Sequence, residues 1–331
     1  MVSSQLIIIQ EDPMTTRTTT LSLPATGEVA AWTERESRLA LTVWAEPNNP
    51  TLGAWLTRRA QTGSETPARD VVAAIVTGDL AGLSAAEIEA VNQIRPRTLL
   101  GDGLERAVRW LDSHADAVFL IPGDDAWPAA LDALGDRRPV GLWVRGDAAA
   151  LRHARVIAIG GARASTGYGD HVAGERATEL TEQGVAIATG AAYGIDGAAT
   201  RATLAAGGTP IVVLGGGVDR PYPAGHNDLI NRVAAAGGAI VSELAPGAAP
   251  TKWRFAARAR ILGGLSQASV IVEAGWRSGS LLLAAETAQL GRRVGAVPGP
   301  ITSPSSAGTH RLIREGGATL VTDTADALAL L

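Results

Sequence analysis

VIAIGGARASTGYGDHVAGERATELTEQGVAIATG, residues 156–190, holds the pattern that decides the fold. A short apolar run ends in Gly160-Gly161, a segment of helical period follows over 168–183, and VAIATG (185–190) is a second short apolar run ending in glycine. The alternation continues outward on the C-terminal side through a helix over 194–206 and the runs PIVVLGGG (210–217), AIVSE (239–243), SVIVEAG (269–275) and RVGAVPG (293–299). VFLIPG (118–123) and LWVRG (142–146) add strands on the leading side, and TLVT (319–322) adds a last one. Strand and helix in alternation imply an α/β fold, a parallel or mixed sheet covered on both faces. Ligands of such folds bind outside the carboxyl ends of the strands.

Upstream the pattern is different. ERESRLALTVW (34–44), RDVVAAIVTG (69–78) and GLERAVRWLDSH (103–114) place apolar residues three and four apart, with Pro, Asn and Gly in the breaks between them. The expected organisation is a disordered tail over 1–28, a small all-helical accessory domain over 29–114 and the sheet domain over 115–331. The 331 residues, 46% of them hydrophobic, are enough to bury a core in both. There is no cysteine, so disulfides, thiolate nucleophiles and cysteine zinc sites are excluded. No apolar run has the length of a signal core or a membrane span. A cytoplasmic protein without metal or cofactor is the simplest expectation.

Unusual loops gather at the strand ends: GGARASTGYG (160–169), TGAAYGID (189–196), GGGVDRPYP (215–223) and RSGS (277–280). Small residues there, among them Gly161, Ser165, Thr189, Gly190, Ser278, Gly279 and Ser280, let the backbone approach an anion, and helix N-termini supply N–H donors. Any one of these loops is equally well explained as a tight turn. Four on one edge favour a phosphate-binding function.

The usual nucleotide and catalytic motifs fail. Lys252 is the only lysine and follows Thr251, so no P-loop exists, and Gly160-Gly161-Ala162-Arg163 lacks the dinucleotide spacing. No G-x-S-x-G elbow occurs, and the five histidines are too scattered for a zinc pair. Asp196, Asp219 and Glu273 each follow a strand, where a carboxylate more often orients a loop than carries a proton.

One stretch departs from the chain's mildly acidic balance of 29 basic to 33 acidic residues. In TKWRFAARARILGGLS (251–266), Lys252, Arg254, Arg258 and Arg260 surround Trp253 and Phe255 without an intervening acid. The apolar Ile261, Leu262 and Leu265 suggest a helix starting near Phe255, with Lys252 in the preceding loop. Cations for phosphates and rings for unpaired bases are what single-stranded nucleic acid requires. A solvated basic face with both rings in the core is the competing explanation. Between residues 151 and 299 there are 14 basic and 10 acidic residues, a local charge of +4, so the charge distribution permits a nucleic-acid partner even though the total is negative.

Several motifs in order resemble the DNA-processing protein A (DprA/Smf) family: GARASTGYG (161–169), TGAAYGID, GVDRPYP, SELAP, FAARARILGGLS (255–266), EAGWRSGSL (273–281), AVPG and GTHRLI. The resemblance runs from about Ile121 to Ala327. It implies an extended Rossmann-like sheet behind the helical domain, sequence-independent binding of single-stranded DNA during natural transformation, delivery of that strand to the recombinase RecA, a homodimer, and no bond-breaking chemistry. It also implies roles: Arg163 as a phosphate ligand, Lys252 and Arg258 in a positive pocket, Phe255 against a base, and Ser278-Gly279-Ser280 as donors. Ala256, Ala259 and His310 depart from the family pattern, and Arg254 and Arg277 are candidates to make up the charge. The winged-helix domain that many relatives carry at the C-terminus has no counterpart before Leu331. Two rivals remain. A phosphoribohydrolase of the same broad group would need a glutamate where Leu283 stands, and a sensor would bind a small nucleotide in the same crevice without DNA.

Overall fold

A computed structural model of the chain describes residues 26–98 and 102–331. The expected tail lies outside these residues as far as position 25. Helices α1 (Glu34–Trp44), α2 (Pro50–Gln61), α3 (Pro67–Thr77), α4 (Ala85–Thr98) and α5 (Gly103–Ser113) come first. α1 starts where the sequence places it because Thr33 and Glu36 form a reciprocal capping box. α2 and α3 each carry proline in the first turn, where its missing N–H costs nothing. Trp32, Trp44 and Trp55 fill the space between α1, α2 and α3, with Val71, Val72 and Ile75 against them. Each such large apolar side chain contributes about 1.5–3 kcal/mol by leaving water.

The sheet comprises β1 (Ala117–Leu120), β2 (Leu142–Gly146) and β3 (Val156–Gly160), then α6 (Gly167–Glu182), β4 (Ala186–Thr189), α7 (Ile195–Ala205), β5 (Pro210–Val213), α8 (Asn227–Ala235) and β6 (Ala239–Ser242). It continues with α9 (Lys252–Leu265), β7 (Ala268–Ile271), α10 (Leu281–Gln289), β8 (Arg293–Ala296), α11 (Ala307–Arg314), β9 (Thr319–Leu320) and α12 (Thr324–Leu328). The strand order is β1-β2-β6-β5-β4-β3-β7-β8-β9. β1, β2 and β6 pair antiparallel and every other pair is parallel, so the expected sheet is mixed, with helices on both faces.

Alternation along the strands separates the two faces. Ile157 and Ile159 pack under α6, α7 and α12, whereas Ala158 faces Ile261, Leu262 and Leu265 of α9 and Leu283 of α10. On the leading side, Leu39 of α1 and Ala107, Val108 and Leu111 of α5 join Phe119, Trp143 and Val212 in one apolar cluster. The first five helices therefore share packing with the sheet as well as having their own core.

The winding reverses at β3. From β3 the chain proceeds through β4, β5 and β6 in one direction, then α9 crosses back and β7, β8 and β9 extend the other way. β3 and β7 are neighbours, and the loops leaving their carboxyl ends diverge, which opens a crevice at the topological switch point.

Candidate nucleic-acid interface

The crevice is a cleft of about 890 Å³. Its walls are the loop after β3, the start of α9 and the turn before α10. Two carboxylates shape it from beneath. Glu273, buried after β7, accepts from Thr166 N at 2.9 Å and from Thr166 Oγ1 at 2.6 Å, which folds the 161–166 loop back over β7. Asp196, buried in the first turn of α7, accepts from Gly190 N at 3.1 Å and Ala192 N at 3.5 Å. Asp219 likewise accepts from Gly247 N at 2.8 Å. All three carboxylates orient loops.

Two cations and two rings meet inside, and a third cation stands at the rim. The Arg163 guanidinium lies 5.0 Å from the centre of the Phe255 ring, and that of Arg258 lies 5.5 Å from it. Tyr222 packs on the same ring with centres 5.4 Å apart. Lys252 lines the rim and is exposed. Arg258 Nη1 donates to Gly190 O at 2.8 Å and to Val213 O at 3.2 Å, which ties α9 to the ends of β4 and β5. Its Nε is buried with no hydrogen-bond partner among the described residues.

Burial lowers the Arg258 pKa, the charge of Asp196 opposes that, and Arg163 adds to the lowering. Burial in turn raises the Asp196 pKa, against Arg258 and the backbone donors of Ala192, Gly190 and Gly161. Both shifts have one cause: the floor of the cleft holds charges that water no longer stabilises. An anion entering beside Arg163 and Arg258 would restore what burial removes.

The start of α9 differs from expectation. The helix begins at Lys252, three residues before the expected point, because the Thr251 side chain accepts from Arg254 N at 3.2 Å and caps it. Lys252, Trp253 and Arg254 thus occupy the first helical turn, and no acid accompanies them. Cations at a helix N-terminus oppose the dipole, so this end is pre-charged for an anionic ligand.

Of the sequence candidates, Gly161, Arg163, Lys252, Phe255, Arg258, Ser278, Gly279 and Ser280 line the cleft. The others do not. Arg260 is fully buried and pairs with Glu243 at 2.6 Å while its Nε donates to Arg137 O at 2.8 Å, so it braces the interior and has no path to a ligand. Arg254 points to the other side of its turn, where Glu46 accepts from its Nε and Nη2 at 3.0 Å each. Thr189 is buried and spends its hydroxyl on Thr200 at 2.8 Å. Ser165 donates to Asp170 at 2.5 Å and caps no ligand site. Gly190 serves Arg258: a Cβ there would stand 2.2 Å from the guanidinium nitrogens. Arg277 is exposed at the lip and makes no ion pair among the described residues.

The pattern reading missed Tyr222, which follows the glycines of the 215–223 loop, and Trp276, exposed between cleft-lining Gly275 and Ser278. The aromatic in each loop was the available signal. Leu283 also lines the cleft, an apolar side chain packed beside Gly160. Ala256 and Ala259 line it too. His310 lies outside, with Nε2 3.0 Å from Gly299 O, and braces the turn after β8.

This geometry can be set beside known proteins. Residues 118–331 match the family model for the DNA recombination-mediator protein A. The chain belongs to that family. The Mycobacterium tuberculosis protein that carries the DprA name is 44% identical over 262 residues, 72% of this chain and 67% of its own length. DNA processing protein DprA of Streptococcus pneumoniae is 35% identical over 77% of this chain and 86% of its own length. The X-ray structure of DprA from Streptococcus pneumoniae covers 90% of this chain and 98% of that one with a TM-score of 0.71 at 28% identity. A DprA structure from Helicobacter pylori, described for its single-stranded DNA binding mode, covers 66% of this chain and 96% of that one with a TM-score of 0.59 and 28% identity. As a member of the DNA recombination-mediator protein A family, the chain is a DNA processing protein. Among the described residues, no helix is long and apolar enough to cross a membrane.

Proposed function

We propose that the chain binds single-stranded DNA without sequence preference in the switch-point cleft, protects it and passes it to the recombinase RecA. The convergence of Arg163 and Arg258 on the Phe255 ring carries the reading, because it combines phosphate ligands with a base-sized apolar surface in one place. A base entering against Phe255 displaces Arg163, whose released guanidinium then pairs with the neighbouring phosphate. Lys252 and the Ser278-Gly279-Ser280 turn supply the next contacts. Duplex binds more weakly because its bases are already stacked. The helices over residues 29–114 act as an accessory domain, and the working form is a cytoplasmic homodimer.

The reading includes no catalysis. Among the described residues, Asp196 is the only carboxylate lining the cleft, and it is held by backbone N–H donors. Incubation with adenosine monophosphate is expected to release no ribose 5-phosphate. Fluorescence anisotropy with labelled oligothymidine and a duplex of equal length tests the main claim. Three cations, one phosphate each, give a log-log salt slope of about −2 for the single strand. Equal affinity for duplex, or an affinity independent of salt, would leave the small-nucleotide sensor as the better reading.

A further inference from the structure

The chain contains eight tryptophans, and their burial divides them sharply. Trp32, Trp44, Trp55, Trp127 and Trp143 are buried and Trp110 is half-buried. Only Trp253 and Trp276 are exposed, at 55% and 53%. Both stand next in sequence to a residue that lines the cleft, Lys252 for the first and Gly275 for the second. An indole left in water forgoes a large part of the hydrophobic gain available to it, so two such residues on the lips of one cleft call for a partner.

Their positions in the fold are opposed. Trp253 is on the first turn of α9, the helix whose Arg258 reaches Val213 O at the end of β5. Trp276 follows β7, on the far side of the switch point. Three strand spacings, roughly 14 Å, separate the ends of β5 and β7. Both indoles are set among cations. The Arg311 guanidinium of α11 lies 4.9 Å from the centre of the Trp276 ring, and Arg277 is adjacent and exposed. Trp253 lies between Lys252 and Arg254, and the pairing of Arg254 with Glu46 fixes its turn.

We propose that Trp253 and Trp276 are base-stacking platforms at the entrance and exit of the cleft, so that one single strand runs from one lip to the other. The proposal rests on the single-stranded DNA reading and extends it from the pocket to a path. Charge chooses the occupant: each indole is flanked by arginine or lysine with no adjacent acid in sequence, a surface that suits a polyanion carrying flat bases. Arg311, stacked on one side of Trp276, leaves the ring oriented and its other side available.

The test compares a thymidine trinucleotide, which the cleft alone accommodates, with a dodecanucleotide, which reaches both lips. Trp253→Ala and Trp276→Ala are each expected to weaken dodecanucleotide binding by roughly five- to one-hundred-fold while leaving the trinucleotide affinity unchanged. Trp276→Phe, which keeps a flat ring, is expected to recover most of the loss. Melting temperatures should match the native chain because neither indole is buried. Acrylamide quenching supplies an independent readout: the dodecanucleotide should protect about two more indoles than the trinucleotide does. Native-like dodecanucleotide binding by both alanine variants, while Lys252→Ala binds weakly, would overturn the platforms and leave the cleft reading intact. Failure of the native chain to bind either oligonucleotide would bring down both. Protection that grows with protein concentration in the absence of DNA would assign the indoles to contacts between copies of the chain and also overturn the proposal.

Discussion

Arg258 and Arg260 are two residues apart on α9, and at 100° per residue their side chains leave the helix on nearly opposite sides. Arg258 opens into the cleft with its Nε unpartnered, against Phe255. Arg260 turns into the interior, where Glu243 meets it at 2.6 Å. The two halves of the helix follow the same division. The first turn carries Lys252, Trp253 and Arg254 in contact with solvent, whereas from Ala259 to Leu265 every residue is buried. A cation takes up a structural task when a carboxylate from another element reaches it. Arg258, which no carboxylate meets within hydrogen-bond distance, stays open to the cleft.

The sharpest way to break this comparison is Arg260→Ala. Removal of one partner from a buried pair leaves Glu243 uncompensated, and a loss of about 3–5 kcal/mol in denaturant unfolding is expected. The fraction that remains folded should bind oligothymidine as the native chain does. Weaker binding per folded molecule would place Arg260 in the interface after all.

Phe255→Ala addresses the opposite half. It should cost about 1–3 kcal/mol of single-strand affinity, read by anisotropy, with the unfolding midpoint close to native. A variant that unfolds instead would show the ring to be a core residue. Lys252→Ala is milder, since a rim cation contributes one phosphate contact. The salt slope is expected to become shallower by about 0.7, and an unchanged slope would remove Lys252 from the strand's path.

The smallest effect concerns Arg254, which the interior side claims through Glu46. Burial alone would raise the Glu46 pKa, but the ion pairs and hydrogen bonds with Arg254 and Arg97 overcome it and hold the carboxyl below its ordinary value of 4.5. A depressed folded pKa contributes stability that is present above the unfolded value and lost as pH falls through the folded one. Glu46→Gln should therefore flatten the loss of stability below about pH 4.5, by no more than about 1 kcal/mol because the pair is partly exposed. DNA affinity at neutral pH should hardly change.

Much of this is legible in the sequence. The alternation of apolar runs with helical periods gave the strands, the run over 34–44 gave α1 to the residue, and the loops ending the strands gave the edge where the cleft lies. These features are local: a strand, a cap or a glycine turn is specified within a few residues of itself. Even so, the start of α9 was misread, because the cationic run concealed the cap that Thr251 provides.

The fate of each cation depended on residues distant in sequence. Glu46 lies 208 positions from Arg254, and Arg137, whose carbonyl accepts from Arg260, lies 123 positions from it. The sequence by itself determined that the chain forms an α/β sheet with small-residue loops at one edge and a basic, aromatic stretch nearby. Only the tertiary structure decided that Arg163 and Arg258 meet on Phe255, that Arg254 and Arg260 are withdrawn from the site, and that Trp253 and Trp276 are left exposed next to residues that line the cleft. The reason is physical: charge and ring type are properties of a residue, but availability to a ligand is set by the partners that packing brings within hydrogen-bond distance.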